Sequence, residues 1–408
     1  MSFYIPIFLI VLALLAVFLR ADFILALVYL LLGVYITGRI WGNRALKNVV
    51  GIRTHPSHVF FGEKIPIQLV IRNLGFLPVV WLQFLESLPM ELATGSRNIR
   101  EVISLPPHGS LEFLYILEGR KRGIYNIGPL FLTSGDLFGI GNPQNTKINS
   151  ENVIVYPKII PLSKVGIPSR SPMGILRFNQ PIFEDPTRIR GKRDYTSGDS
   201  LRRVDWKASA ASGRLQVKLY EPSIALETAI FLNLNAKEYD RYSRIDASEL
   251  GIIVAASLAS WVVGKRQSVG LYTNGIEVLP ESEYGLVPGS SPLERNPLGL
   301  PPRKGRGHLM RILETLARVQ VSETYPLVQL LRQEIPHLAW GTTLILISTN
   351  LDEEMFDGLF QANRAGIKTM LIPCGPLAGA EEIRKRARFF NFPFHHIYTE
   401  KDMDIWRK

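Results

Sequence analysis

Three places in the sequence hold residue types that could do chemistry. Cys374 follows the apolar run KTMLIP, and His395-His396 lie in the next strand region. A thiolate with an imidazole base is the minimum for nucleophilic catalysis, but it also needs a third group to orient the base, and none is evident. A lone cysteine at a strand end is otherwise a small buried hydrophobe. The run Arg190-Gly191-Lys192-Arg193, with Tyr195 and Trp206, interleaves cations and aromatics. That pattern suits stacking on single-stranded nucleic acid or clamping an acidic partner. Lastly, Asn233-Leu234-Asn235-Ala236-Lys237 follows AIFL, and Ser348-Thr349-Asn350 follows LILI. Both place polar side chains just beyond apolar strands, where open α/β sheets form their binding crevice. No P-loop, GxSxG, HExxH or dinucleotide fingerprint is present in the chain. The expectation is therefore a non-catalytic protein without a cofactor.

The elements that must position these residues fall into separate blocks. From about Thr228 to the end, continuous apolar runs (TAIFLNLN, SVGLYTNG, LILIST, KTMLIPC) alternate with helical stretches such as ASELGIIVAASLASWVVG. Buried strands alternating with helices predict a doubly wound, mainly parallel α/β domain over residues 228–408. Pro280 to Gly307, rich in Pro, Gly and Ser, reads as one long loop. Residues 49–156 instead show short strands (IPIQLVIRN, VVWLQFLES, LEFLYILEG) parted by turn residues, which predicts an antiparallel β-sandwich. Between them, residues 157–227 form a basic bridge: Lys164 to Lys218 holds twelve Lys/Arg against five Asp/Glu.

The first forty residues are of another kind. Phe3 to Leu19 carries no charge, and Phe23 to Ile36 repeats the pattern after Arg20 and Asp22. A cleavable signal peptide would want early basic residues and would not need the second run. Residues 1–41 are therefore expected to form a transmembrane helical hairpin in the bilayer, although each run is at or just below spanning length. Arg39, Arg44 and Lys47 follow the second helix, against Arg20 alone in the turn. The positive-inside rule then places the globular domains in the cytoplasm of a multi-pass cell-membrane protein. A net charge of +11 with 46% apolar residues fits a folded protein that attracts anions. With an anchor present, acidic lipid or protein is the expected counterpart, and nucleic acid is not. The single cysteine excludes an internal disulfide framework.

The bridge resembles the signature of the bacterial family catalogued as domain of unknown function 58. The matching residues are Arg193, Tyr195, Gly198, Asp199, Arg202, Asp205, Trp206, Lys207, Val217, Lys218, Tyr220 and Glu221; Ala211 departs from the usual arginine. The resemblance implies a membrane-anchored chain ending in a domain like the von Willebrand factor A type. It also implies a partner, a MoxR-type AAA+ ATPase, and hence an adaptor in an assembly or maturation system. Domains of that type often hold a divalent ion through a D-x-S-x-S loop. Here Asn233, Asn235 and Lys237 stand in that loop and Asn350 in a second, without the carboxylate a hard cation requires. No metal is expected, although a metal-dependent adhesion module outside the cell and a thiol hydrolase at Cys374 are the competing readings.

Two roles remain open for the bridge. In one, Tyr195, Gly198, Asp199, Asp205, Trp206 and Lys207 are architecture. Asp199 or Ser200 would cap a helix over LRRVDWKASA, Asp205 would pair with an arginine, and Trp206 would be buried at a domain junction. In the other, Arg190, Lys192, Arg193, Arg202 and Arg203 form a docking surface for an acidic partner.

Overall fold

A computed structural model of the chain describes residues 4–19, 22–93, 95, 97–135, 143–166, 184–196, 199, 201–222, 227–278 and 298–407. It divides into two compact units, one built mainly from Met1–Ile159 and the other from most of the remainder.

In the first unit, helices α1 (Tyr4–Leu19) and α2 (Asp22–Ala45) precede ten strands. These are β1 (Val49–Thr54), β2 (His58–Val59), β3 (Lys64–Asn73), β4 (Val79–Ser87), β5 (Asn98–Leu105), β6 (Ser110–Glu118), β7 (Gly123–Ile127), β8 (Leu130–Ser134), β9 (Gln144–Ile148) and β10 (Glu151–Val155). Period-two alternation decides the packing: along β3, Ile65, Ile67, Leu69 and Ile71 turn inward while Lys64, Pro66 and Arg72 face out. Two antiparallel sheets, β1-β3-β6 and β5-β4-β8-β9, share a core of Leu69, Ile71, Leu82, Phe84, Leu130 and Leu132. A third sheet, β2-β10-β7, closes over Ile65, Ile67, Leu117 and Val153. The fully antiparallel expectation is corrected at one place, because β2 pairs with β10 in parallel. A parallel pair needs a long crossover, and the intervening strands supply it.

The two N-terminal helices lie where the apolar runs predict. Phe8, Ile10, Leu14, Val17 and Phe18 of α1 and Phe23, Tyr29 and Leu30 of α2 are exposed. At 16 residues, α1 is shorter than the roughly 20 residues a perpendicular span requires. The last turn of α2 passes beyond the apolar run, and Ala45 and Leu46 join the sandwich core. Trp41 packs there too and donates its indole N–H to the Pro78 carbonyl at 3.0 Å.

The second unit starts from an antiparallel pair, β11 (Glu184–Asp194) and β12 (Gln216–Pro222), with the short helix α3 (Trp206–Ser212) between them in sequence. The elements that follow in the chain are β13 (Glu227–Leu232), α4 (Arg244–Gly264), β14 (Ser268–Thr273), β15 (Ile276–Glu277), β16 (Leu298–Arg303), α5 (Arg306–Arg318), β17 (Val319–Gln320), α6 (Leu327–Glu334), β18 (Thr343–Ile347), α7 (Glu353–Arg364), β19 (Lys368–Ile372) and α8 (Ala380–Phe389), of which Glu277 and Leu313–Val319 group with the first unit. The main sheet runs β16-β14-β13-β18-β19, parallel except for β16. Helices cover both faces: α6, α7 and α8 pack on Ala229, Phe231, Leu344 and Leu346, while Gly251 of α4 meets Leu232 and Ile347. β16 corrects the single-loop reading of Pro280 to Gly307, whose residues 280–297 lie outside the described residues. Leu300 and Gly299 give it an apolar edge to lay on β14.

Among the described residues, one helix is long and apolar enough to cross a bilayer, and it is α4. Its buried set, from Ala247 to Val262, covers most of its circumference, with Glu249, Ile253 and Ser260 half-buried on the remaining side, the condition of a core helix.

Candidate functional site

The motif residues of the bridge fold into a self-stapled module. Arg193, near the end of β11, grips Asp199 with both guanidinium nitrogens at 2.6 Å. Thr196 donates its backbone N–H and its hydroxyl to the same carboxylate, each at 2.9 Å. These donors stabilise the charged form, so Asp199 is held well below the usual carboxylate range, the Arg193 hydrogen bond first. The chain then makes a short turn over Leu201–Arg203 and enters α3. Asp205 is the N-cap, accepting from the Ala208 N–H at 3.2 Å, while the Lys192 ammonium sits 2.9 Å from its other oxygen. The same two contacts, Lys192 first, lower its pKa. Ser209 donates to the Asp205 carbonyl and accepts from the Gln216 N–H, tying α3 to β12. Gly213 ends the helix at φ +69°, a left-handed position that favours glycine. Val204 bridges Val217, and both are buried.

Several expectations are corrected here. The helix begins at Trp206, so Asp205 caps it rather than Asp199 or Ser200, because Asp199 is already consumed by the Arg193 clamp. Asp205 pairs with lysine rather than arginine. Trp206 is 67% exposed and does not pack at a junction. Val204 and Val217 provide the module's apolar contact instead, and the first helical residue points outward. Lys192, Arg203 and Lys207 are exposed, and Tyr195 is half-buried with its N–H bonded to the Leu215 carbonyl. Gly198 and the side chains of Arg190, Arg202, Tyr220 and Glu221 lie outside the described residues.

The second cluster closes the carboxyl ends of β13, β14 and β18. Asn233, buried completely, donates Nδ2 to Glu238 at 2.7 Å and to the Ser348 hydroxyl at 3.0 Å. Its Oδ1 accepts from the Asn235 N–H and from Asn274 Nδ2, both at 3.1 Å. Asn274 in turn accepts the Leu234 N–H at 2.7 Å and donates to the Tyr325 carbonyl at 3.0 Å. Glu238 also takes Asn235 Nδ2 and the Leu327 N–H at the start of α6, each at 3.1 Å. Asn350 donates its N–H to Ser348 and accepts the Ser348 hydroxyl on its carbonyl. A hard cation needs converging lone pairs, whereas amide N–H groups fill the centre of this cluster. The donor set fits a closed amide network, not an ion. The motif reading found Asn233, Asn235 and Asn350 but missed Asn274 and Glu238. The signal for Asn274 was present, as Thr273-Asn274-Gly275 ends the second apolar strand.

Cys374 is buried, and its thiol bonds the Ile372 carbonyl at 3.6 Å. Burial pushes the thiol pKa up, the wrong direction for a nucleophile. His396 bonds the Gly375 carbonyl at 2.7 Å, and His395 meets the Trp406 ring edge-on.

A family model described as "Protein of unknown function DUF58" matches residues 191–283, beginning at the stapled module and running past β14. The uncharacterized protein YeaD of Bacillus subtilis (strain 168) is 22% identical over 220 residues, 53% of this chain and 53% of that protein. The chain thus spans about half the length of the curated relative it matches. Among solved structures, proximal thread matrix protein 1 of the mussel byssus shows 9% identity and a TM-score of 0.31, covering 45% of this chain and 46% of its own. The CARDB domain of the PF1109 protein of Pyrococcus furiosus shows 15% identity and a TM-score of 0.19, covering 26% of this chain and 86% of its own.

Proposed function

We propose that this protein is a membrane-anchored, non-catalytic binding or assembly protein that works through docking of a protein partner. The observation that carries the reading is the stapled module. Its clamp, cap and staple account for Arg193, Asp199, Asp205 and Ser209, yet Trp206 and Lys207 are left facing solvent. A large aromatic with cations beside it is the composition of an interface anchor. The exposed apolar surfaces of α1 and α2 support a membrane hairpin, and the basic residues after α2 support cytoplasmic domains. The main sheet, parallel except at β16 and covered by helices on both faces, supports a von Willebrand A-like second unit. The partner assigned here, a MoxR-type AAA+ ATPase, is what the motif resemblance of the bridge implies. The sealed thiol of Cys374 and the amide-filled strand ends weigh against the hydrolase and adhesion readings.

Crosslinking and affinity capture from membranes, with the hairpin retained, tests this. Recovery of an AAA+ ATPase supports the reading. A reporter fused after Lys408 that is active only outside the cytoplasm, or capture of hydrolase products on Cys374, would end it.

A further inference from the structure

The segment from Leu201 to Lys207 separates its side chains by task. Val204 is buried against Val217, and Asp205 is turned inward to cap α3 and meet Lys192. Leu201, 62% exposed, and Trp206 point outward together with Arg203 and Lys207. Both ends of the segment are fixed, by the Arg193–Asp199 clamp before it and by the Asp205 cap and Ser209 staple within and after it. The outward side chains therefore hang from a backbone that is ordered before any partner arrives, which lowers the entropy cost of binding.

Charge selects the occupant. From Gly191 to Leu219 there are seven Lys/Arg against three Asp; Asp199 and Asp205 pair with Arg193 and Lys192 inside the module, which leaves five cations against Asp194. The outward field is thus positive around a tryptophan. We propose that Leu201, Arg203, Trp206 and Lys207 form the recognition face for an acidic protein segment. Such a segment would set an apolar side chain on the Trp206 ring and carboxylates against Arg203 and Lys207. This rests on the docking reading above and names the chemistry of its partner. An acidic peptide fits better than a layer of lipid headgroups, because cations and apolar groups alternate over seven residues. A headgroup layer would pair the cations yet leave Leu201 and Trp206 matched to nothing specific. Trp and Arg are also the residues enriched where protein interfaces concentrate their energy.

The test uses the full chain in nanodiscs of zwitterionic lipid, with a fluorescent peptide of alternating Glu and Leu as probe and a Lys-Leu peptide as control. Trp206→Ala and Lys207→Glu are compared with wild type, each checked for an unchanged melting midpoint. The expected result is binding of the acidic probe alone, weakened by salt, and lowered about tenfold or more in each variant, the scale of an interface anchor. Equal affinity in wild type and both variants overturns the proposal. So does a Trp206-dependent response to phosphatidylglycerol nanodiscs with none to the peptide, which would assign the face to lipid. Failure to capture an ATPase from membranes while variant-sensitive peptide binding persists would remove that partner and leave this face standing.

Discussion

Two Arg–carboxylate pairs, one in each unit, have similar geometry and opposite surroundings. In the sandwich, Arg53 Nε lies 2.6 Å from Glu86 and a second nitrogen lies at 3.0 Å, with both side chains sealed from solvent. Its third nitrogen donates to the Asn149 carbonyl at 2.8 Å, and Tyr115 donates to Glu86 at 3.3 Å. Gly128 leaves the space for this guanidinium, since a Cβ there would lie 2.7 Å from it. In the bridge, Arg193 and Asp199 form an equally short bidentate pair in which the arginine side chain is 42% exposed. The sequence motif points to the second pair, but burial makes the first one decisive for stability. Water can replace the partner of an exposed ion and cannot reach a buried one.

The largest expected effect follows directly. Glu86→Ala should destabilise the sandwich by about 3–5 kcal/mol, because it removes both close carboxylate acceptors of the buried Arg53 guanidinium and leaves it, as counter-charge, only the partly exposed Glu151 at 3.7 Å. Chemical denaturation of the full chain, followed by a sandwich probe, measures it. The double variant Arg53→Met with Glu86→Leu should regain most of that loss, since apolar replacement removes both charges together. A single variant that melts like wild type would show that the pair is hydrated and would erase the contrast.

The strand-end network extends the comparison to neutral groups. Asn274→Ala removes the acceptor for the Leu234 N–H and one donor to Asn233, both buried. The expected cost is about 1–3 kcal/mol for the unsatisfied polar groups. It should appear as a lowered midpoint of the second unit, and its absence would mean that water fills the gap.

Burial also sets a pH dependence. His308 is buried, bonds the Val269 carbonyl at 2.8 Å, and has its pKa lowered first by desolvation and then by Arg303 and Arg311. A depressed folded pKa favours the neutral ring in the folded state. Its contribution is therefore complete above the unfolded histidine pKa and is lost as pH falls from there through the lower folded pKa. The melting midpoint of the second unit should begin to drop below about pH 7, where an ordinary histidine starts to charge, and keep dropping past that ordinary range. His308→Gln, which can keep the donor to Val269, should flatten that slope. A slope identical in variant and wild type would assign the effect elsewhere, for which His395, also lowered by burial, is the next group to change.

The contrast explains what the sequence made legible. Continuous apolar runs placed β13, β14, β18 and β19, because strands buried on both faces leave no polar alternation to misread. Alternation in β3 identified the sandwich face. The strand-end loops were found by their position after apolar runs, but Glu238 was not, because it reaches Asn233 from a turn five residues on. The Arg53–Glu86 pair was invisible for the same reason: its members are far apart in the chain and lie in segments with no motif. Trp206 was misplaced because size and apolarity argue for burial when nothing shows that two smaller residues, Val204 and Val217, already fill the contact.

The smallest expected effect on global stability belongs to the exposed pair, and it tests the comparison from the other side. Asp199→Asn keeps an oxygen for the Thr196 N–H but takes away the charge and one of the two acceptors for Arg193. Because Arg193 can be solvated instead, the melting midpoint of the chain should scarcely move. What should change is local order: the Thr196 amide should exchange faster relative to its intrinsic rate, as the clamp on residue 199 weakens. The wild type should show the same weakening only in strong acid. Its carboxyl is held below the ordinary range, so the pair is intact above that range and is lost as pH falls beneath it. The amide that replaces it in the variant has nothing to titrate, so the variant's clamp should be weak at every pH. A global destabilisation by Asp199→Asn as large as that of Glu86→Ala would mean that exposure does not decide the strength of these pairs.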